Sequence, residues 1–369
     1  MAKQSYVPSG AKIKVVGCGG AGCNAVTRMV RQQIRGVEFI ALNTDAQHLA
    51  ITEAPVRIQI GEKLTRGLGA GGDHKIGQKS AEENRDEIRQ LLSGSDMIFI
   101  TAGMGGGTGT GSFSVVAEIA KQSGALTIGI VTKPFSFEGA HRAQVAEEGI
   151  AAGITKVDTM VVIPNDRLLD MCDHKMGVDA AFKLADEVLC HGVQAIAEVI
   201  TVPGLINLDF ADVRTVMKDA GPSWMSIGRG SGQNRAVDAA KEALSSPLLD
   251  VQVTGARGVL FNVAGDDTLS LFEVQNAAEV IKQAVDPEAN IIFGVTVDTN
   301  LSNQVRLTLI ATGFADKNML VGAGRDREMT RLLKNLKTEE ELSIPAFLRQ
   351  RRVLPSQRPT PNPIPNRMR

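Results

Sequence analysis

Short apolar runs alternate with helix-like segments through the first half of this chain, and that alternation restricts the fold more than any other feature. The runs are rich in Val and Ile, as buried strands are, and apolar residues between them recur at helical spacing. This pattern predicts an α/β fold with a parallel sheet covered by helices, which binds ligands at the carboxyl ends of its strands. The predicted strands are 13–17, 37–43, 56–60, 97–102, 126–132 and 159–164, and the predicted helices are 24–33, 77–92, 112–121 and 143–156.

The second half of the chain predicts a long helix followed by a second, smaller α/β region. Apolar residues recur at helical spacing from 178 to 200, and Pro203 with Gly204 ends the pattern. A helix of that length suits a connection between two domains. We predict that the last two strands pair as antiparallel neighbours through the turn-rich residues 298–300. The helices predicted in this region are 210–218, 236–244 and 271–284, and the strands are 258–263, 291–297 and 305–311.

Composition excludes several classes of protein. The chain has 369 residues, 43% of them apolar and 22% charged, as in a soluble protein of about two domains with a tail. A net charge of −1, one Trp and one Tyr predict no nucleic-acid partner. No apolar stretch reaches the length of a membrane span, so we expect no direct span. Four cysteines without zinc-like spacing favour free thiols in a cytoplasmic protein.

A glycine-rich loop at 103–111 joins the fourth predicted strand to the helix after it. Six of its nine residues are glycine, and Thr108 and Thr110 are two of the other three. Clustered backbone N–H groups and the positive end of a helix dipole suit a phosphate, and the threonine hydroxyls add donors. No Gly-Lys pair occurs in the chain, so the loop is not a Walker A sequence. The sequence therefore predicts a phosphate site of a less common kind.

Two further glycine-rich loops accompany this one. The loop at 17–24 matches the dinucleotide fingerprint G-x-G-x-x-G, and Asp45 follows about 20 residues later. That match leaves an NAD-dependent oxidoreductase open as an alternative, and a tight packing turn as another. The loop at 67–73 is either a cover for the end of a polyphosphate or a surface connection. Three such loops suit a nucleoside triphosphate better than a dinucleotide.

Polar side chains follow the fifth and sixth predicted strands. Thr132 ends the fifth strand, and Glu138 and Arg142 come after it, within reach of ribose hydroxyls and phosphate. Asn165 follows the sixth strand, where a side-chain amide can hydrogen-bond a purine edge. Structural roles remain open for the last three, as a helix-start acid, a solvated base and an N-cap.

Phe182 and Asp186 are four residues apart on the long predicted helix and therefore share a face. An aromatic ring can stack on a base, and a carboxylate can accept from the guanine N1–H and 2-amino groups. Adenine lacks those donors, so the pair would select guanine. A core phenylalanine beside a solvated aspartate is the alternative interpretation.

Residues 207–212 open the helix after the long connector. Asn207, Asp209 and Asp212 lie there, and the two acids are three residues apart, so they can converge on one point. An N-cap and a first-turn acid would give the same pattern. The segment follows the long helix, so we expect it to lie far from the glycine loops of its own chain.

Taken together, these motifs resemble the FtsZ family of tubulin-like cell-division GTPases, in family order from about residue 11 to 314. The resemblance implies a tubulin-like fold with a Rossmann-type parallel sheet, and GTP or GDP bound with Mg²⁺. It also implies head-to-tail homopolymers that form the division ring at mid-cell in bacterial cytokinesis. The nucleotide-binding residues that it implies are Gly19, Gly20, Ala21, Gly22, Asn24, Gly103, Gly105, Gly106, Gly107, Thr108, Gly109, Thr132, Glu138, Arg142, Asn165, Phe182 and Asp186.

The resemblance also assigns a role to Asn207, Asp209 and Asp212. In this family the corresponding loop inserts into the nucleotide site of the next subunit, so hydrolysis requires assembly. Two carboxylates can orient and polarise the water that attacks the γ-phosphate, and phosphoryl transfer needs little else from the protein. These three residues are therefore implied to be catalytic, with no protein-held metal.

The C-terminal part of the chain resembles the family's tail. Residues 342–349, from Leu342 to Arg349, are similar to the peptide that docks on membrane-tethering division adaptors. Ser343 stands where an Asp is common in the family, and His74 is a second departure, in the loop nearest the γ-phosphate. From 349 to 369 the chain has six arginines and no acid.

These observations predict the following organisation. An N-terminal arm covers 1–10, a GTP-binding domain 11–177 and a central connecting helix 178–202. A C-terminal domain that carries the catalytic loop covers 203–315, and a linker follows at 316–341. The partner-recognition peptide is 342–352, and a disordered basic tail covers 353–369, with five prolines in 17 residues.

Overall fold

The structure is a computed structural model that describes residues 10–169, 177–201, 209–246, 253–298 and 301–314. Asn207, the linker, the 342–349 peptide and the basic tail lie outside the described residues. The strands are β1 Ile13–Cys18, β2 Val37–Asn43, β3 Val56–Gln59, β4 Met97–Gly103, β5 Leu126–Lys133, β6 Thr159–Pro164, β7 Gly221–Ser231, β8 Gly258–Gly265, β9 Asn290–Val297 and β10 Gln304–Thr312.

The helices cover both halves of the chain. They are α1 Gly19–Arg31, α2 Ala46–Ile51, α3 Glu62–Thr65, α4 His74–Glu83, α5 Arg85–Leu92, α6 Thr108–Gln122, α7 Ala140–Ile154, α8 Asn165–Leu169, α9 Val178–Thr201, α10 Phe210–Met217, α11 Arg235–Ser245 and α12 Leu271–Ala284. The predicted long helix at 178–200 is confirmed as α9. The helix predicted at 77–92 is two helices, α4 and α5, which are separated at Asn84. The Asn84 Oδ1 accepts a hydrogen bond from the Gly61 N–H at 2.9 Å.

The strands form one sheet in the order β3-β2-β1-β4-β5-β6-β7-β10-β8-β9. Every pairing from β3 to β7 is parallel, and the six strands predicted in the first half begin and end within one residue of the observed strands. Side chains of alternate residues enter two separate cores, so Val15 and Phe99 pack on one face and Val16 and Ile98 on the other. The predicted α/β fold with a mostly parallel sheet is confirmed.

The predicted pairing of the last two strands is wrong. β10 pairs antiparallel with β7 and with β8, and β9 pairs parallel with β8. The segment β8–α12–β9 is a strand–helix–strand crossover, which requires parallel neighbours. A turn-rich connection shows that the chain reverses, but it does not say which strand the returning chain meets.

β7 is a strand that the sequence did not predict. It contains Gly221, Gly228 and Gly230, and glycine disfavours strands. Side chains at two of these positions would strike helix α11, since a Cβ at Gly228 would lie 1.9 Å from the Ala239 carbonyl oxygen, and one at Gly230 equally close to that of Arg235. The glycines therefore serve a close approach of the α11 backbone, which only the tertiary structure reveals.

Candidate functional site

A cavity of about 280 Å³ opens at the carboxyl edge of the parallel sheet, where β1, β4, β5 and β6 end and α9 begins. Of the predicted nucleotide residues, all line this cavity except Gly19, Gly22, Asn24 and Gly105. The lining residues are Cys18, Gly20, Ala21, Gly103, Met104, Gly106, Gly107, Thr108, Gly109, Thr132, Pro134, Glu138, Arg142, Asn165, Phe182, Ala185 and Asp186.

The two glycine loops at 17–24 and 103–111 touch each other behind the cavity. Gly19 has a φ of 69°, and a Cβ there would lie 2.6 Å from the Gly109 nitrogen. A Cβ at Gly22 would lie equally close to the carbonyl oxygen of Thr101 in β4. These two glycines therefore allow the loops to pack closely, while Gly20 and Ala21 of the same loop face the cavity.

Helix α6 points its N-terminus into the cavity. Its N-cap residue is Gly107, and no side chain caps the first turn. The first backbone N–H groups of a helix have no partner within the helix, so this end offers donors and a positive dipole to an anion. Gly105 does not line the cavity. Its φ is 99°, and its backbone N–H donates to Thr110 Oγ1 at 2.9 Å.

Glu138 and Arg142 form an ion pair on the wall of the cavity, with Glu138 Oε2 and Arg142 Nη1 2.5 Å apart. The other carboxylate oxygen of Glu138 accepts from the Phe135 N–H at 2.9 Å. The acid is thus fixed in a tight turn after β5, and the arginine side chain is more exposed than its partner. The pair offers both an acceptor and a cation to a polar ligand.

Asn165 begins α8 and is 5% exposed. Its Oδ1 is buried, and no residue in the described part of the protein donates to it. A buried acceptor without a partner costs about 1–3 kcal/mol, so the position favours a ligand that carries a donor. Asn165 is thus a polar side chain in the cavity wall that can accept a hydrogen bond from a ligand.

Phe182 and Asp186 line the cavity from the first turns of α9. Phe182 is 40% exposed and meets the buried Phe135 edge-to-face, with ring centroids 5.3 Å apart. Burial raises the pKa of the Asp186 carboxyl to about 6, and the charge of Arg28 on α1 opposes that rise. The cavity therefore holds an available aromatic face beside a carboxyl group whose pKa is raised by burial.

Asp209 and Asp212 do not line the cavity. Both are exposed at the start of α10, and Asp209 occupies the N-cap position without a side-chain capping hydrogen bond. Asn24 does not line the cavity either, and its Oδ1 lies 3.1 Å from His48 Nε2. Cys18, Met104, Pro134 and Ala185 also line the cavity and were not among the predicted site residues, although Cys18 and Met104 lie within the two predicted glycine loops. Burial raises the pKa of the Cys18 thiol to about 12, which keeps it protonated.

The loop at 67–73 lies against the 103–111 loop. A Cβ at Gly107 would be 2.9 Å from Ala70 Cβ and 3.0 Å from the Asp73 nitrogen. His74, next in sequence, has its Nε2 3.6 Å from a carboxylate oxygen of Glu148 on α7. Within the described ranges, no cluster of His, Cys, Asp and Glu is placed to hold a metal ion, and no helix is long and apolar enough to cross a membrane.

Comparisons with known proteins identify the family of this chain. A model of the Tubulin/FtsZ family GTPase domain matches residues 12–173, and a model of the FtsZ family C-terminal domain matches residues 221–315. An empty FtsZ dimer from M. jannaschii is 50% identical, with a TM-score of 0.80 over 82% of this chain and 88% of that one. A point mutant of the same organism's FtsZ is 49% identical, with a TM-score of 0.81 over 83% and 92%.

A more distant likeness is one of fold alone. The GDP-bound monomer of CetZ1 from Haloferax volcanii is 20% identical to this chain. Its TM-score is 0.72, over 88% of this chain and 99% of that one.

Proposed function

The chain belongs to the FtsZ family of tubulin-like GTPases, and from that premise we propose that it polymerises head to tail into filaments of the bacterial division ring. The observation that carries the proposal is the cavity, which has two glycine loops at one end and Asn165, Phe182 and Asp186 at the other. That arrangement fits a guanine nucleotide lying across the carboxyl edge of the sheet.

We assign each wall of the cavity one part of the nucleotide. The glycine loops and the N-terminus of α6 hold the phosphates, as backbone donors and a helix dipole favour. Glu138 and Arg142 contact the ribose. Phe182 stacks on the base, while the ionised Asp186 accepts from the two guanine donors and Asn165 Oδ1 receives a third N–H.

Mg²⁺ would bind mainly through the phosphate oxygens and water. The acids that line the cavity are Glu138 and Asp186, and among the described residues no acidic cluster is placed to hold an ion. Mg²⁺ commonly enters phosphoryl-transfer sites in this way, with few protein ligands. When bound, the ion would neutralise charge on the phosphates. The residues present fit that role.

Hydrolysis is assigned to Asp209, Asp212 and Asn207 of the next subunit. The far end of α10 is tied to the amino edge of the sheet, since Thr159, the first residue of β6, donates to the Met217 carbonyl oxygen. The cavity lies at the carboxyl edge, and a six-residue strand is about 20 Å long. This placement supports acids that serve a neighbour's cavity, and a head-to-tail contact of that kind produces an open filament.

We also infer the domain organisation and the binding partners of the chain from its family. We propose domains at 11–177 and 203–315 joined by the helix 178–202, which the extents of the two family matches support. Residues 342–349 bind membrane-tethering adaptors, and the protein works in the cytoplasm at the division site. These proposals follow from family membership, since the peptide lies outside the described residues.

A concentration series tests the shared site. GTP hydrolysis per subunit should rise sharply above a threshold protein concentration, together with light scattering. Asp212→Ala should bind GTP but hydrolyse it at least about 100-fold more slowly, because the attacking water loses its orienting group. Asp238→Ala, at another exposed first-turn acid, is the matched control and should behave as wild type. Turnover per subunit that does not depend on concentration contradicts the proposal.

Mixing two inactive variants sharpens the test. Asp212→Ala retains its cavity, and Asp186→Ala retains the acid loop, residues 207–212. A one-to-one mixture above the threshold should recover about a quarter of the wild-type rate, because random head-to-tail contacts join the two intact parts in that proportion. No recovery in mixed filaments argues for hydrolysis within one chain, and NAD binding in place of GTP favours the oxidoreductase alternative.

A further inference from the structure

A pair of threonine hydroxyls connects the cavity to the segment after β2. Thr44 Oγ1 and Thr108 Oγ1 lie 2.6 Å apart, and Thr108 lines the cavity at the start of α6. Thr44 is fully buried, and the described residues offer its hydroxyl no other hydrogen-bond partner. The Thr44 side chain is therefore directed at Thr108 alone and does not itself face the cavity.

The surroundings hold Thr44 in place. The Asp45 carboxylate, next in sequence, caps α2 by accepting from the Gln47 and His48 N–H groups at 2.9 and 3.0 Å. The Thr44 carbonyl oxygen lies 3.4 Å from Thr65 Oγ1, whose proton has a closer acceptor in the Gly61 carbonyl oxygen at 3.0 Å. A hydroxyl on such a rigid turn can orient a neighbouring hydroxyl without further ordering of the chain.

A hydroxyl has one proton, and that limit sets the direction of the contact. A deprotonated phosphate oxygen can only accept a hydrogen bond, so a Thr108 hydroxyl that contacts it must donate its proton to the phosphate. Its oxygen can then only accept from Thr44. By geometry alone either threonine can be the donor. With a phosphate oxygen bound to the Thr108 hydroxyl, the hydrogen bonds run from Thr44 to Thr108 and from Thr108 to phosphate. Hydrogen bonds in such a chain strengthen one another.

We propose that Thr44 is a positioning residue for phosphate recognition, whose buried hydroxyl donates to Thr108 and commits the Thr108 proton to the nucleotide. The inference rests on the proposed nucleotide site and deepens it. Thr44 acts through Thr108 and makes no contact with the ligand. Loss of the Thr44 hydroxyl should therefore weaken nucleotide binding only in a protein that retains the Thr108 hydroxyl.

Calorimetric titration with GDP, at protein concentrations below assembly, tests the proposal. Thr44→Val keeps the shape of the side chain and removes the donor, and should weaken binding about 3- to 10-fold. Thr44→Ser keeps the donor and should stay within about 2-fold of wild type. Thr52→Val is the matched control, since that buried hydroxyl donates to the His48 carbonyl oxygen, away from Thr108.

A double-mutant cycle separates positioning from simple structural support. In a Thr108→Val background, Thr44→Val should change the GDP affinity by less than about 2-fold. Equal losses in both backgrounds, or a Thr44→Ser variant as weak as Thr44→Val, overturn the inference. If Thr44→Val does not fold, Thr44→Cys, a weaker donor, should bind GDP more weakly than wild type. Failure of the wild-type protein to bind GDP contradicts the proposed function itself.

Discussion

At Asp186, burial and charge act in opposite directions on one carboxyl group. Burial raises its pKa to about 6, and Arg28 on the neighbouring helix α1 limits the rise. Glu138 and Arg142 face the same cavity and are paired with each other. If Asp186 must be ionised to accept from both guanine donors, the residue makes recognition of the base sensitive to pH.

Guanine nucleotide affinity should therefore fall as the pH drops below about 6. Protonation of Asp186 removes an acceptor, so the association constant should decrease by up to about tenfold per pH unit below its pKa. Asp186→Asn cannot titrate, and the ratio of its affinity to that of wild type cancels the titration of the nucleotide's own phosphates. GDP titrations between pH 5 and 8 measure this ratio.

Arg28→Gln provides a second check of the same residue. Removing the positive charge should raise the Asp186 pKa further, so the loss of affinity should begin at a higher pH. Arg31→Gln is the matched control, because Arg31 is exposed on the same helix and pairs with Glu53. A pH profile that is the same for wild type and Asp186→Asn contradicts the assigned role.

At the scale of elements, close packing of α4 on α6 positions the 103–111 loop. A Cβ at Gly111 would lie 2.0 Å from the His74 carbonyl oxygen, and one at Gly77 would lie 2.2 Å from that of Gly107. The glycines thus allow two helix backbones to touch directly beside the 103–111 loop. Their role is distinct from that of Gly106, which lines the cavity and has open space at its Cβ position.

Gly111→Ala should therefore separate the two helices. Overpacking of this kind costs about 1–3 kcal/mol, which should appear as a lower denaturation midpoint. GDP affinity should fall with it, since the start of α6 moves with the helix. Gly10→Ala, before β1 at a position with no atom within 4 Å of its Cβ, should change neither quantity. Unaltered stability of Gly111→Ala would show that α4 can move away without loss.

At the scale of the whole molecule, one strand joins the two halves of the sheet. The first residues of β7 pair with β6, and the rest of the strand pairs with β10. Helix α9 is buried in the same core as β1 and β4. The cavity and helix α10, whose first turn carries Asp212, are thus held by one continuous sheet and a shared core.

The proposed role of residues 342–349 in adaptor binding can be tested by deletion. Deleting residues 342–369 should abolish binding to a membrane-tethering adaptor and leave GTP hydrolysis and assembly unchanged, because the cavity and the acid loop lie elsewhere. Deleting only 353–369 keeps the peptide and should keep adaptor binding. Co-sedimentation of filaments with a purified adaptor measures both. Full binding after the longer deletion would show that the peptide assignment is wrong.

Local patterns in the sequence were sufficient for most of the fold. The first six strands were predictable because buried parallel strands are continuous apolar runs, and α9 because its spacing persists until Pro203 and Gly204. β7 was not predicted, because its glycines, which disfavour strands, are required by the close approach of the α11 backbone. The strands that pair with β10 were not predicted either, because pairing depends on segments that are far apart in the chain.

By itself, the sequence determined the α/β class, the glycine loops and the types of side chain that a guanine nucleotide would need. Those features are local, and residue type with spacing is enough to reveal them. Only the tertiary structure decided that Asn165 Oδ1 is buried with no donor among the described residues, that burial raises the Asp186 pKa, and that Thr44 meets Thr108. Each of these depends on atoms far apart in the chain, and burial and contact arise only when the strands and helices pack.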